Sequence, residues 1–350
     1  MGLNDFEYAA PNPFCFCAEK GANHDCKKDI PKESILTAFD KLRNRKQGKK
    51  VVIGMPAGIG DMHWILTKLE SYKEKNKIDH LAISIHEDSG HLHSASFLQR
   101  IPFVDSVICK EKPFKFIWNI PPLERHTTLM ENIDDCDVRI EFNSELEAGR
   151  RIETILPEYD VNWEYEIPYA EEDRTFANRV KVLGGKKFVV LYASSRGGNS
   201  NPTWTAGKWG LNEWVGLISL LNAKGIQPVL VGAGWDLEYA QDLEKVCDER
   251  GMSEDAFLNL VDQTPLWRTL ALIRECDAFI GFPSGLGIMS VKFKKNTIMF
   301  WPCAHKWFDD GFHTAWVSPE TLKSDIYHPM KYGSKNANPE GIMSTLGSVL

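Results

Sequence analysis

The sequence predicts an α/β protein built as two Rossmann-like domains facing a cleft. Three observations carry this. Short runs rich in Val, Ile and Leu alternate with segments of helical period, the pattern of parallel sheets covered by helices on both faces. The alternation runs once over 49–170 and begins again at 171, without a sequence repeat. With 350 residues, 43% of them hydrophobic, the chain is long enough for two domains of common size.

Each element has its own signal. Residues 1–48 read as a polar extension with a helix over Lys32–Arg45, joined to the body by the basic run RNRKQGKK, a solvated linker. In the domain over 49–170, VVIGM is a strand. DMHWILTKLESYKEK is an amphipathic helix with apolar residues at 62, 65, 66 and 69. HLAISIH is a strand, SASFLQRIPFVDSVI a helix, turn and short strand, and DVRIEF a strand. In the domain over 171–334, FVVLY is a strand that ends in a polar loop, and GKWGLNEWVGLISLLNAKG is a helix closed by Gly225. IQPVLVGAG, DLEYAQDLEKVCDERG, FLNLVD and PLWRTLALIRECD then alternate strand and helix. AFIGFPSGLGIMSVKF reads as strand, tight turn and helix, and NTIMFWP as a strand. The tail, 335–350, holds a helix from Pro339 expected to pack back on the first half. Ligands of such folds sit at the carboxyl ends of the strands.

Composition narrows the function classes. The net charge is −7 and the basic residues are scattered, so no strong nucleic-acid or anionic-membrane footprint is evident. No apolar run reaches the roughly 18 residues of a membrane helix. MGLNDFEYAAPNPFCF lacks the basic start and apolar core of a secretory signal. The expectation is a cytoplasmic protein without stable membrane insertion. Of eight cysteines, those from Cys109 onward stand alone in apolar or helical contexts and read as buried, reduced thiols. Cys15, Cys17, His24 and Cys26 fall close together. Two readings stand for this set: a structural zinc site, although C-x-C is not the usual knuckle spacing, or a reduced N-terminal arm without metal.

The stretch VVIGMPAGIGDMHW raises the question of chemistry. Gly54, Gly58 and Gly60 have the spacing that short-chain dehydrogenases use to cradle NAD(P) at a helix N-terminus. Asp61 argues against that, because it sets a carboxylate beside the cofactor phosphates. The Tyr-x-x-x-Lys pair such enzymes need has one candidate, Tyr327 to Lys331, and Pro329 forbids an ordinary helix there. No acidic residue directly follows the second strand. Read as Gly-Asp at a strand-to-helix junction, the same residues place a carboxylate in the cleft, where it can act as general base. A helix cap is the plainer role for Asp61.

The second half resembles the ADP-heptose:lipopolysaccharide heptosyltransferase family, glycosyltransferase family 9, of GT-B fold. The likeness rests on Ser194-Ser195-Arg196, on Lys208-Trp209 through Trp214, and on the glycine-ended strand VLVGAG. It continues with Leu260 to Leu266 and the turn Ile280-Gly281-Phe282-Pro283-Ser284-Gly285. Gly60-Asp61 matches the Gly-Asp of the family's first strand-helix junction. The resemblance spans about 49–316. It implies transfer of a hexosyl or heptosyl group from a nucleotide diphosphate sugar to an acceptor hydroxyl, with inversion and without a required metal or other cofactor. Asp61 would be the base. Arg196, Lys208, Ser194, Ser195 and the backbone N–H groups of Ser284, Gly285, Leu286 and Gly287 would hold the donor. Asp236 and Glu238, after the VLVGAG strand, are candidates for the ribose hydroxyls, with helix-start capping the plainer role. Gly58, Gly60 and His63 would lie on the acceptor side. Pro283 stands where the family has an acidic residue, and Ile288 where it has a histidine.

Those departures keep a second reading open, a GT-B-like binding or scaffold protein without activity. The acceptor is a saccharide, a protein or a modified DNA base. For DNA the only support is RNRKQGKK and the lysines at 110, 112 and 115. Trp204, Trp209 and Trp301 are stacking candidates, with Trp204 the loop-exposed one. His91 and His93 read as a loop pair.

Overall fold

The computed structural model describes residues 36, 48–55, 57–85, 91–109, 138–141, 156, 158–183, 187–194, 209–301, 317–331 and 333–347. The expected Lys32–Arg45 helix, apart from Leu36, and the Cys15, Cys17, His24, Cys26 set lie outside the described residues. So do Ser195, Arg196, Trp204, Lys208 and the lysines at 110, 112 and 115.

The first lobe holds β1 (Lys50–Met55), α1 (Ile59–Lys75), β2 (His80–Ile85), α2 (His91–Gln99), β3 (Ser106–Cys109) and β4 (Val138–Glu141). Its sheet has the order β3-β2-β1-β4, and every pairing is parallel. From β1 the chain steps outward through β2 to β3 and then returns to the far side of β1. The order therefore reverses between β1 and β4, and the turn through Gly58 into the first turn of α1 leaves β1 at that point.

α3 (Glu171–Leu183) leads into the second lobe. There follow β5 (Phe188–Tyr192), α4 (Leu211–Ala223), β6 (Gln227–Leu230), a 3-10 turn (Gly234–Asp236), α5 (Leu237–Glu249) and β7 (Leu258–Asn259). The lobe continues with α6 (Leu266–Glu275), β8 (Ala278–Gly281), α7 (Gly285–Lys292), β9 (Asn296–Trp301), α8 (Pro319–Leu322), β10 (Tyr327–Lys331) and α9 (Pro339–Leu346). Its sheet, β10-β9-β8-β5-β6-β7, is wholly parallel. This is the doubly wound order, with its reversal between β5 and β8, where a crevice opens for ligands. Ser194 follows β5 and Ser284 follows β8.

β1, β2, β5 and β9 are buried along nearly their whole length, which is why they read as unbroken apolar runs. One apolar cluster runs through both lobes, from Val51, Ile53 and Leu66 to Val190, Leu270 and Phe279. A second fills the other face of the second sheet. α9 belongs to that second cluster through Ile342, Met343 and Leu346, and Pro339 meets α4 at Gly216, where an added Cβ would lie 3.2 Å from the proline ring. The tail helix thus packs on the second lobe, not back on the first as expected. The reason is its apolar face, which matches the flank of α4.

Tyr327 to Lys331 is an edge strand, the one place in a sheet that tolerates a proline such as Pro329. The Tyr327 hydroxyl accepts a bond from Trp301 Nε1 at 3.0 Å, and burial pushes its pKa up. A dehydrogenase tyrosine needs the opposite shift.

Candidate functional site

Two helix N-termini, one from each lobe, meet at the centre of the molecule. Gly285, the first residue of α7, is so close to α1 that an added Cβ would lie 2.7 Å from Ile59 Cβ and 3.2 Å from the backbone nitrogen of Gly60. A Cβ on Gly60 would lie 2.6 Å from Ile288 Cδ1. Gly285 serves close approach to the α1 backbone, and Gly60 leaves room for the tip of the Ile288 side chain. Both helix ends carry partial positive charge.

Asp61 follows Gly60 directly, half-buried, at the third position of α1. The comparison with two other acids is informative. Glu213 holds the equivalent place in α4, and its Oε2 accepts the N–H of Gly210 at 2.8 Å. Asp236 holds it in the 3-10 turn, and its Oδ2 accepts the N–H of Ala233 at 2.9 Å. Asp61 folds back in the same way, with Oδ2 2.7 Å from where a Gly58 Cβ would be, yet no cap hydrogen bond forms. Burial therefore goes uncompensated and raises its pKa to about 6. The helix-cap role is filled by Glu213 and Asp236 in their own helices and not by Asp61 in its helix.

Across the contact, Ser284 caps α7, its Oγ accepting the N–H of Gly287 at 3.2 Å. The N–H groups of Gly285 and Leu286 have no acceptor within the helix. Ser284, Gly285 and Leu286 are half-exposed, and Gly287 is buried. An anion placed here meets two N–H groups and the helix dipole. Ser194 and Asp236 lie side by side at the ends of the neighbouring strands. Burial raises the Asp236 pKa to about 6, partly offset by the Ala233 N–H and the Ser194 hydroxyl. Its second oxygen, Oδ1, is buried without a well-formed hydrogen bond.

The other expected site residues are spread more widely. His63, one turn beyond Gly60, is 2% exposed. Its Nδ1 is 3.0 Å from the Tyr165 hydroxyl, and burial and nearby Lys292 lower its pKa to about 3. It is a neutral core imidazole packed against Trp163 and Tyr165. Trp209 stacks on Phe300 at 4.3 Å and Trp301 is bonded to Tyr327, so both are core. His91 and His93 begin α2 and are not loop residues. Among the described residues no group of three or more His, Cys, Asp or Glu side chains is arranged to hold a metal ion.

Sequence reasoning passed over Trp235. It is 38% exposed, sits just past the carboxyl end of β6, and faces His93 of the first lobe edge-on at 6.0 Å. Its signal was a tryptophan directly after the glycine-rich strand end Gly232-Ala233-Gly234.

Two lobes, each a parallel sheet with helices, are the architecture of the GT-B class of fold. Solved structures place the chain more closely within it. No protein-family model matches the sequence, and no curated protein matches it. In structure the chain is similar to Escherichia coli ADP-heptose lipopolysaccharide heptosyltransferase II, with TM-score 0.56 and 13% identity over 86% of this chain and 98% of that one. It is similar to the family 9 glycosyltransferase of Veillonella parvula, with TM-score 0.53 and 12% identity over 86% and 97%. It is also similar to E. coli heptosyltransferase WaaC with ADP, with TM-score 0.53 and 13% identity over 86% and 100%. The fold is that of the family 9 heptosyltransferases.

Proposed function

We propose that the protein is a glycosyltransferase that moves a sugar from a nucleotide diphosphate sugar to an acceptor hydroxyl, with inversion. What supports this reading is Asp61: a half-buried carboxylate with no cap bond, directly after Gly60, where the first turn of α1 meets the first turn of α7. An ordinary exposed aspartate titrates near 4, and a base that titrates near 6 accepts a hydroxyl proton more readily while remaining ionised at pH 7. In the proposed reaction Asp61 takes the acceptor proton as that oxygen attacks the anomeric carbon. The bond to the leaving diphosphate breaks on the opposite side. Negative charge then gathers on the diphosphate, where the Gly285 and Leu286 N–H groups of α7 receive it. Ser284 holds that helix end in place, and Ser194 and Asp236 line the adjoining strand ends. The N–H donors perform the task of a metal, so the reading is metal-independent. WaaC was solved with ADP, which makes adenosine diphosphate the first nucleotide to try.

Thermal-shift screening against ADP, UDP and GDP, free and sugar-linked, tests the reading. Stabilisation by one nucleotide class identifies the donor. Stabilisation by NAD(P) alone, or by none, sinks the transferase and leaves the scaffold or dehydrogenase reading.

A further inference from the structure

Ile288 stands at the meeting of the two lobes. Ile288 is 7% exposed, and its Cδ1 rests against the backbone of Gly60, next to Asp61. A side chain on Gly285 would meet Ile59 Cβ and the Gly60 backbone, whereas one on Gly60 would have to displace the Ile288 Cδ1 methyl. The contact joins the first turn of α1 to the first turn of α7. We propose that Ile288 is a positioning residue: its Cδ1, seated on Gly60, sets the register of the two lobes and closes the inner end of the cleft beside Asp61. The proposal rests on the transferase reading and deepens it, because the residue that departs from the family pattern becomes part of the site.

The charge surroundings allow a clean readout. In β1 the only titratable side chain is Lys50, at the far end of the strand. α7 carries one titratable group, Lys292, in its last turn, facing Tyr165 and His63. α2 offers His91 and His93, and His93 faces Trp235. α1 itself offers His63, held by Tyr165. Burial is what shifts Asp61, with no charged neighbour among the described residues contributing. Opening the contact therefore hydrates Asp61 and moves its titration down.

A complementation pair tests this. Ile288→Val removes Cδ1 alone. Gly60→Ala puts a methyl group 2.6 Å from Cδ1 and pushes it aside. Each single variant misaligns the lobes. Turnover should fall by up to about a hundredfold, the scale of an ångström-sized misplacement of a reacting group. Donor-nucleotide affinity should change little, and the acid limb of kcat/KM should move down. The double variant should recover most of the loss, because the added methyl fills the vacated space. Carboxyl 13C NMR titration of Asp61, assigned with Asp61→Asn, follows the same contact without an assay. A lowered midpoint in each single variant, restored in the double, supports the proposal. Single variants that match the wild type, or a double variant with the summed losses of both, overturn it. If no nucleotide sugar is turned over by the wild type, the transferase reading fails, and the NMR titration still decides the contact.

Discussion

Asp61 and Asp236 are both held with pKa values near 6, above the unfolded value near 4. Between those values the folded chain keeps protons that the unfolded chain has released. The stability they contribute is therefore complete below about pH 4 and is lost as pH rises through 6. Asp61→Asn removes one such cost. Its melting temperature relative to wild type should climb between pH 4 and 7 and then level off. A flat difference across that range would show that Asp61 is not desolvated. The same shift sets the activity profile: kcat/KM should rise with pH through about 6, and a limb near 4 would contradict the burial seen here. Asp236 differs because its Oδ2 holds the Ala233 N–H. Asp236→Ala should cost about 1 kcal/mol of stability for the lost cap, whereas Asp236→Asn keeps an acceptor and should cost less; denaturant unfolding checks the order. That Asp61 makes no cap bond was invisible in the sequence. Gly-Asp at a strand-helix junction was legible, but whether the acid reaches back to an N–H is a matter of local geometry. Two tryptophans weighed as ligand platforms are core, and the exposed Trp235 was overlooked, because burial follows from contacts far along the chain.

At the scale of elements, helix ends do the chemistry. α7 is short, and its cap, Ser284, fixes the turn that would receive the leaving group. Ser284→Ala should remove about 1 kcal/mol of stability, read as a melting temperature lower by a few degrees. It should also weaken nucleotide binding; unchanged affinity would place the anion elsewhere. Most elements were legible because strands buried on both faces leave unbroken apolar runs, and helices such as α1 keep a periodic apolar stripe. Two were not. α3 buries only Asp173, Ala177 and Val180, so its apolar stripe is too thin to read. β10 contains Pro329, a breaker almost everywhere except on a sheet edge. The contact between Gly60 and Ile288 joins residues more than two hundred positions apart, and no local pattern records it.

For the whole molecule the question is how the lobes are held. Trp267 of α6 stacks on Phe97 of α2 at 5.7 Å, and its Nε1 donates to the Ser96 carbonyl at 3.1 Å. Arg100 lies over the same indole at 4.5 Å and pairs with Asp173 of α3 at 2.7 Å. Arg274 stacks on Tyr169 and Phe293, and Lys292 on Tyr165, around a concavity of about 540 Å³ at the carboxyl-terminal ends of α6 and α7. With one apolar cluster running through both lobes, the two should unfold together. Trp267→Ala should cost about 3–5 kcal/mol and split the calorimetric transition in two; a single transition at unchanged temperature would mean that the indole does not tie the lobes.

The central claim is a division of labour between the lobes, a base on one and an anion-holding helix end on the other. Asp61→Asn tests it most directly, assayed for sugar transfer and, separately, for nucleotide binding. The account predicts that turnover collapses while nucleotide affinity stays near the wild-type value. Retained turnover, or nucleotide binding lost together with it, would contradict the account.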